Sequence, residues 1–185
     1  MKKSLVVIAA ASIALVLSGC AGTAVEGKAS DAKSSSNESS APSTTAGKSD
    51  SSFKDGVLTT QDLKIVITDH KVLAVGEKGN EYGKKPVIAF WYEITNLGTK
   101  DVSPMNFIFN ITAFQDNNPN AENKLEVGSL PDDRFLESQT EKIKKDGTVA
   151  NAIAYELDDQ ETPVDLVAST DLGMNELGKT SYKLK

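Results

Sequence analysis

The 185-residue chain has one cysteine, one histidine and one tryptophan, and aromatic residues make up only 6% of it. A single Cys and a single His exclude a disulfide framework, a cysteine cluster and a multi-histidine zinc site. Positive charge is also scarce. The 20 Lys and Arg stand against 26 Asp and Glu, a net charge of −6. The basic residues are scattered, and the small patch at Lys142, Lys144 and Lys145 is offset by Glu141 and Asp146. No nucleic acid is expected as a partner, because nothing here would neutralise a phosphate backbone. No stretch after residue 20 carries the periodicity of a three-turn helix. The length fits one ordinary domain with some tail left over.

The amino terminus is the most specific part of the sequence. Lys2 and Lys3 precede an almost unbroken apolar run from Leu5 to Leu17. At about 1.5 Å per residue, such a helix falls well short of a hydrocarbon core of roughly 30 Å. The run therefore reads as a secretory signal core instead of a permanent span. It ends in Leu17-Ser18-Gly19-Cys20, which resembles the lipobox of bacterial lipoproteins. The resemblance implies a signal peptide at 1–19, cleavage before Cys20, and a diacylglyceryl group on the Cys20 sulfur. Two acyl chains hold a membrane far better than one, at about 0.8 kcal/mol per buried CH₂. The expected location is the cell membrane, lipid-anchored and facing outside the cytoplasm of a Gram-positive cell, with palmitate-type acylation.

Residues 20–52 form the expected lipidated cysteine and tether. Positions 21–52 contain ten Ser, six Ala, three Thr and three Gly, no aromatic residue, and Val25 as the one branched aliphatic. Such a stretch cannot bury enough apolar surface to offset its ordering entropy. The remaining 53–185 hold 15 Lys and Arg against 22 Asp and Glu, net −7, and are long enough for one autonomous core.

That domain reads as short strands. In Gln61–Val75, Leu63, Ile65 and Ile67 alternate with Lys64 and Val66, with a bend or bulge expected near Asp69-His70. Val87–Asn96, VIAFWYEITN, is apolar on both faces as far as Glu93 and reads as a central strand. Asn96-Leu97-Gly98-Thr99 is a turn. A strand is expected over Asn106–Phe114, then a break at Asp116–Asn123. Residues 125–141 fit a short edge strand, a loop or one helical turn. Lys144-Lys145-Asp146-Gly147 reads as a tight turn. Strands follow over Thr148–Leu157, Pro163–Ser169 and around Thr180–Leu184. About seven short strands so spaced predict an all-β, immunoglobulin-like sandwich, with a small barrel as the alternative.

The succession VIAFWYEITNLGTKDVSP, FNITAFQDN and IKKDGTVANAIAYELDDQETPVDL resembles the small lipoprotein domains of unknown function found in Firmicutes. These are similar to the immunoglobulin-like sandwiches typified by a secreted mycobacterial immunogenic protein. Ile94-Thr95-Asn96 resembles that family's strand-end turn, Phe114-Gln115-Asp116 its aromatic-Gln-acid corner, and Tyr155-Glu156-Leu157 its strand end. Lys145-Asp146-Gly147 replaces the Pro-Gly turn of many relatives. The resemblance implies a fold and a location and lends no catalytic residue.

Chemistry is thinly represented. His70 could pair with an acid or ligate a metal, but no serine sits on a Gly-x-Ser-x-Gly elbow to make it catalytic. Asp116 with Asn117-Asn118, and Asp158-Asp159 with Glu161, have calcium-type oxygens without the twelve-residue loop pattern. Asp132-Asp133 and Glu137 with Glu141 complete the acidic clusters. All four read as solvated turns. Phe90, Tyr92 and Tyr155 read as core. Trp91, facing the other way, either covers the back of the sheet beneath a loop or floors a shallow carbohydrate or peptide site. Asn110 and Asn151 are expected within strands, tying loops to the sheet. No metal, cofactor or catalytic residue is assigned, and Trp91 and His70 are the possible ligand contacts. The leading expectation is a non-enzymatic surface lipoprotein that binds or scaffolds a surface protein, a peptide or a cell-wall glycan. The alternative is a cell-wall-directed hydrolase or its accessory factor. A solute-capture protein is disfavoured by the small single domain.

Overall fold

The computed structural model describes residues 51–170 and 173–185; the signal segment, Cys20 and the tether as far as residue 50 lie outside them. Eight strands follow in order: β1 (Ser52–Lys54), β2 (Val57–Thr59), β3 (Leu63–Leu73), β4 (Val87–Asn96), β5 (Ile111–Gln115), β6 (Thr148–Glu156), β7 (Val164–Thr170) and β8 (Asn175–Tyr182). They form two antiparallel sheets, β1-β2-β3-β4-β6 and β5-β7-β8. The sheets pack as the all-β sandwich that the alternation predicts.

Period-two patterning decides which side chains meet between the sheets. Leu58, Ile65, Ile88, Phe90 and Ile94 come from one sheet, and Ile111, Ala113, Leu166 and Ala168 from the other, all essentially inaccessible to solvent. β4 pairs with β3 on one side and β6 on the other, so neither face nor edge of it meets much water. That explains its apolar run. The expected irregularity in β3 is a register shift between Ile67 and Asp69. One extra residue exchanges the faces of the strand. Leu63, Ile65 and Ile67 point inward before the shift, and His70 and Val72 after it. Lys71 and Leu73 are thereby moved to the outer face.

Three elements differ from expectation. β1 and β2 form a hairpin that the sequence reading did not include. Its two loop residues, Asp55 and Gly56, both have positive φ, the backbone that a two-residue primed turn demands. The segment expected as a strand from Asn106 is a 3₁₀ turn at Pro104–Asn106 and one α-helical turn at Phe107–Asn110, and only Ile111–Gln115 is extended. Pro104 at the first helical position and Asn110 Nδ2 donating to the Asn106 carbonyl at 2.7 Å favour the coiled path. Asn110 therefore lies in a helical turn. The last strand begins at Asn175, ahead of the expected Thr180. Residues 125–141 contain two 3₁₀ turns, Asp133–Phe135 and Ser138–Thr140, and an isolated bridge from Val127 to Tyr155.

Buried side-chain amides fasten the loops. Asn80 Nδ2 donates to the carbonyls of Leu73 and Lys85, closing the 74–86 loop. Asn96 Nδ2 donates to Lys100 and Ile143, and its Oδ1 accepts from the Gly98 N–H. Gln115 holds the 157–162 turn, and Asn151 reaches Ser138 Oγ at 3.2 Å. No buried side-chain polar atom among the described residues lacks a partner, as a sheet protein with long loops requires. At one edge of the sandwich, β1 lies against β8. The Gly56 N–H donates to Thr180 Oγ1 at 3.2 Å, and Gly178 approaches the Phe53 carbonyl closely at φ +138.

Candidate functional site

Trp91 is paired with Asp69 and Ala152, so its indole projects from the outer face of the five-stranded sheet. His70 pairs with Phe90 and points to the inner face. There it sits at the rim, its ring 5.0 Å from that of Tyr182 and 6.2 Å from that of Phe90. Asp69 Oδ1 accepts the His70 backbone N–H at 2.8 Å. The two expected contact residues thus lie on opposite sides of one sheet and do not share a site.

The outer face beside Trp91 is built for cover. Ala89, Ala152 and Ala154 are small and buried, which leaves room for residues 127–134 to cross the sheet. Gly128 lies against Val87 and Ala154, and its N–H donates to the Ala154 carbonyl at 2.9 Å. Leu73, Val87, Ala89 and Ala154, with Trp91, make a second small apolar cluster under this segment. Trp91 is therefore partly covered by this segment and also borders a cleft.

That cleft has a volume of about 420 Å³. Trp91 Nε1 donates to Asp132 Oδ2 at 2.9 Å. Arg134 grips the same carboxylate with Nε on Oδ1 at 2.9 Å and Nη2 on Oδ2 at 2.6 Å, the planar fork geometry that guanidinium favours. Arg134 also lies over the Phe135 ring, 5.4 Å from its centre. Across the cleft Lys71 Nζ pairs with Glu77 at 2.5 Å, and Lys78 and Asp133 line it without an ion pair among the described residues. The Arg134 guanidinium holds the Asp132 carboxyl well below the usual carboxylate range; the Trp91 N–H helps, and burial opposes.

The sign of the resulting pH dependence follows directly. A carboxyl whose folded value is depressed contributes stability that is present above its unfolded value, near 4, and lost as pH falls toward the folded one. The melting temperature of the wild type is therefore expected to fall between about pH 5 and pH 2. Asp132→Asn is expected to flatten that slope in part, because Asp158, Asp159 and Glu77 are lowered too. A slope unchanged by the substitution, measured by thermal melts across that range, would remove Asp132 from this role.

The acidic turns are fastened by their own donors. Asp159 Oδ1 accepts the N–H groups of Glu161 and Thr162 at 2.8 and 2.7 Å, and its Oδ2 accepts from Asn117 Nδ2 and Thr162 Oγ1 at 2.9 Å each. Asp158 takes Lys85 Nζ and Asn123 Nδ2, both at 2.9 Å. The loops 116–123 and 158–161 are thus brought together by Asn–Asp hydrogen bonds. No group of three or more His, Cys, Asp or Glu among the described residues is placed to hold a metal ion. A shallow trough of about 410 Å³ crosses the outer face of the second sheet, over Phe114 and Val167 and between Asp116, Asp165 and Glu176. An apolar groove of about 300 Å³ lies between Met105, Val127 and Leu136.

The sequence reading missed Arg134, Lys71, Glu77 and Lys78. One signal was available: Arg134 is the chain's single arginine, in Pro-Asp-Asp-Arg-Phe; in the fold it shares the Asp132 carboxylate with the single tryptophan.

The geometry defines a two-sheet sandwich with loop-built clefts on its outer faces. Residues 37–170 match the family described as domain of unknown function DUF5067, and the chain belongs to that family. No curated protein matches it. Among solved structures it is similar to a candidate lipoprotein from Staphylococcus aureus subsp. aureus NCTC 8325. The TM-score is 0.62 at 23% identity, covering 73% of this chain and 92% of that one. It is also similar to a protein from Enterococcus faecalis solved by NMR. There the TM-score is 0.54 at 18% identity, covering 74% and 95%. At these identities the likeness shows the fold.

Proposed function

We propose that the protein is a lipid-anchored lipoprotein facing outside the cytoplasm, whose sandwich is a non-enzymatic binding or scaffolding module at the cell surface. The observation that carries this reading is Leu17-Ser18-Gly19-Cys20 at the end of a short apolar run behind Lys2 and Lys3. A thioether to diacylglycerol on Cys20 would supply the anchor. The Staphylococcus aureus candidate lipoprotein with the same fold supports the location. The binding role is supported by concave, charge-lined surfaces where hydrogen-bonded loops meet the sheet, which present contacts with little reorganisation.

Cells expressing the chain and fed an alkyne-tagged fatty acid should label the wild type, while Cys20→Ala loses the label and leaves the membrane fraction. A label that survives in Cys20→Ala would overturn the anchor. Crosslinking in intact cells should recover one recurrent partner with the wild type, and much less of it with Cys20→Ala. Turnover of wall fragments by the purified chain would overturn the non-enzymatic part.

A further inference from the structure

We propose that the Trp91 cleft binds an uncharged saccharide chain, one ring resting against the indole and the hydroxyl groups hydrogen-bonded by Lys78 and Asp133. This deepens the binding-module reading and rests on it. The first argument is shape. A volume of about 420 Å³ falls in the range of small-molecule sites, roughly 300–1,000 Å³, and the cleft is bordered by the chain's one tryptophan. The electron-rich face of an indole attracts the slightly positive C–H groups of a pyranose ring and buries its apolar side.

Charge is the second argument. Lys71, Lys78 and Arg134 are matched by Glu77, Asp132 and Asp133 around the cleft. Two of the three pairs are closed, Lys71 with Glu77 and Arg134 with Asp132. An anionic ligand would meet carboxylates and a cationic one ammonium groups, with no net field favouring either. A neutral ligand rich in hydroxyls meets no such opposition. Lys78 and Asp133 are exposed or nearly so and make no ion pair among the described residues, so a donor and an acceptor remain for it.

Preorganisation is the third. Asp132 holds the indole edge and is itself held by Arg134. The 74–86 loop is knotted on Asn80 and backs directly onto Pro131, since a Cβ on Gly79 would collide with the Pro131 carbonyl. Asp133 borders a neighbouring hollow of about 280 Å³ that includes Tyr82. Tyr82 is 97% exposed on that fastened loop, a second aromatic placed for the next sugar along a chain.

Trp91 is the only tryptophan, so indole emission reports this site alone. The full chain in detergent micelles would be titrated with neutral tetrasaccharides of glucose, galactose, mannose and N-acetylglucosamine, and separately with a glycerol phosphate oligomer and a lysine tetrapeptide. At least one neutral sugar is expected to shift the emission saturably. The double variant Lys78→Ala, Asp133→Asn is expected to weaken that binding at least tenfold with unchanged melting temperature and unliganded spectrum. Tyr82→Ala should weaken binding of the tetrasaccharide and leave that of the matching disaccharide, titrated alongside it, unaffected. No saturable shift with any neutral sugar, a shift only with a charged oligomer, or a shift untouched by the double variant would overturn the assignment. A partner recovered by crosslinking in cells alongside silent sugar titrations would leave the binding-module reading standing and sink the glycan alone.

Discussion

Gln115→Leu is expected to cost about 3–5 kcal/mol, a large share of the roughly 5–15 kcal/mol that holds a domain of this size. The side chain is completely buried at the end of β5. Its Nε2 donates to the carbonyls of Asp159 and Thr162 at 3.2 and 2.9 Å, and its Oε1 accepts the N–H groups of Asp158 and Asp159 at 2.8 and 3.4 Å. Every hydrogen-bonding capacity of one amide is thereby used on the turn that joins β6 to β7. Leucine is of similar size but would leave four backbone groups of this part-buried turn without their partner, and an unmet buried group costs about 1–3 kcal/mol. Gln115→Glu should destabilise as well, because a carboxylate still accepts the two N–H groups but sets buried negative charge against two carbonyls. Urea denaturation would show it as a lowered midpoint at constant slope. A loss below about 1 kcal/mol would mean that the turn finds its partners elsewhere.

Gly178→Ala is the second large effect, expected at about 2–4 kcal/mol. Gly178 has φ +138, a region that an L side chain rarely adopts. A Cβ there would also fall inside the van der Waals shell of the Phe53 carbonyl oxygen, which is backbone and cannot swing away. Gly76→Ala separates the two causes. Gly76 has φ +83 but open space around it, so only backbone strain applies and about 1 kcal/mol is expected. Equal losses in the two variants, by the same denaturation experiment, would show that the contact with Phe53 contributes nothing.

How much of this was legible depends on how each segment meets water. β4 could be read outright because it is paired on both edges and covered on both faces. The irregularity in β3 showed where Thr68-Asp69-His70 interrupts the alternation, although its consequence for the two faces did not. Phe107, Phe109 and Ile111 alternate as a strand would, yet Phe107 and Ile111 are also four apart, the spacing of one helical face. The structure coils Phe107–Asn110 and turns extended at Ile111, so Phe107 and Ile111 are buried and Phe109 is 57% exposed. Ser103-Pro104 was the cue that separated the readings, and Asp55-Gly56 was the cue for the missed hairpin. β8 carries Asn175, Glu176, Lys179 and Ser181 with few apolar residues, so its pattern was too weak to place its start. For the cleft, Trp91 could be singled out as outward-facing. Its partner Asp132 lies 41 residues away in an irregular segment, and no periodicity points from one to the other.

The seam between β1 and β8 also sets an order of events during folding. The Gly56–Thr180 hydrogen bond joins residues 124 positions apart, and Phe53 takes its place only where Gly178 leaves room. The first strand of the sandwich therefore waits for the last. Contacts at such separation must close a long loop before they return any stabilisation, which slows folding relative to locally connected chains. Until β8 is in place, the β1–β2 hairpin has β3 to pair with but no β8 to shelter Phe53. The shelter of Phe53 is thus complete only once β8 has docked.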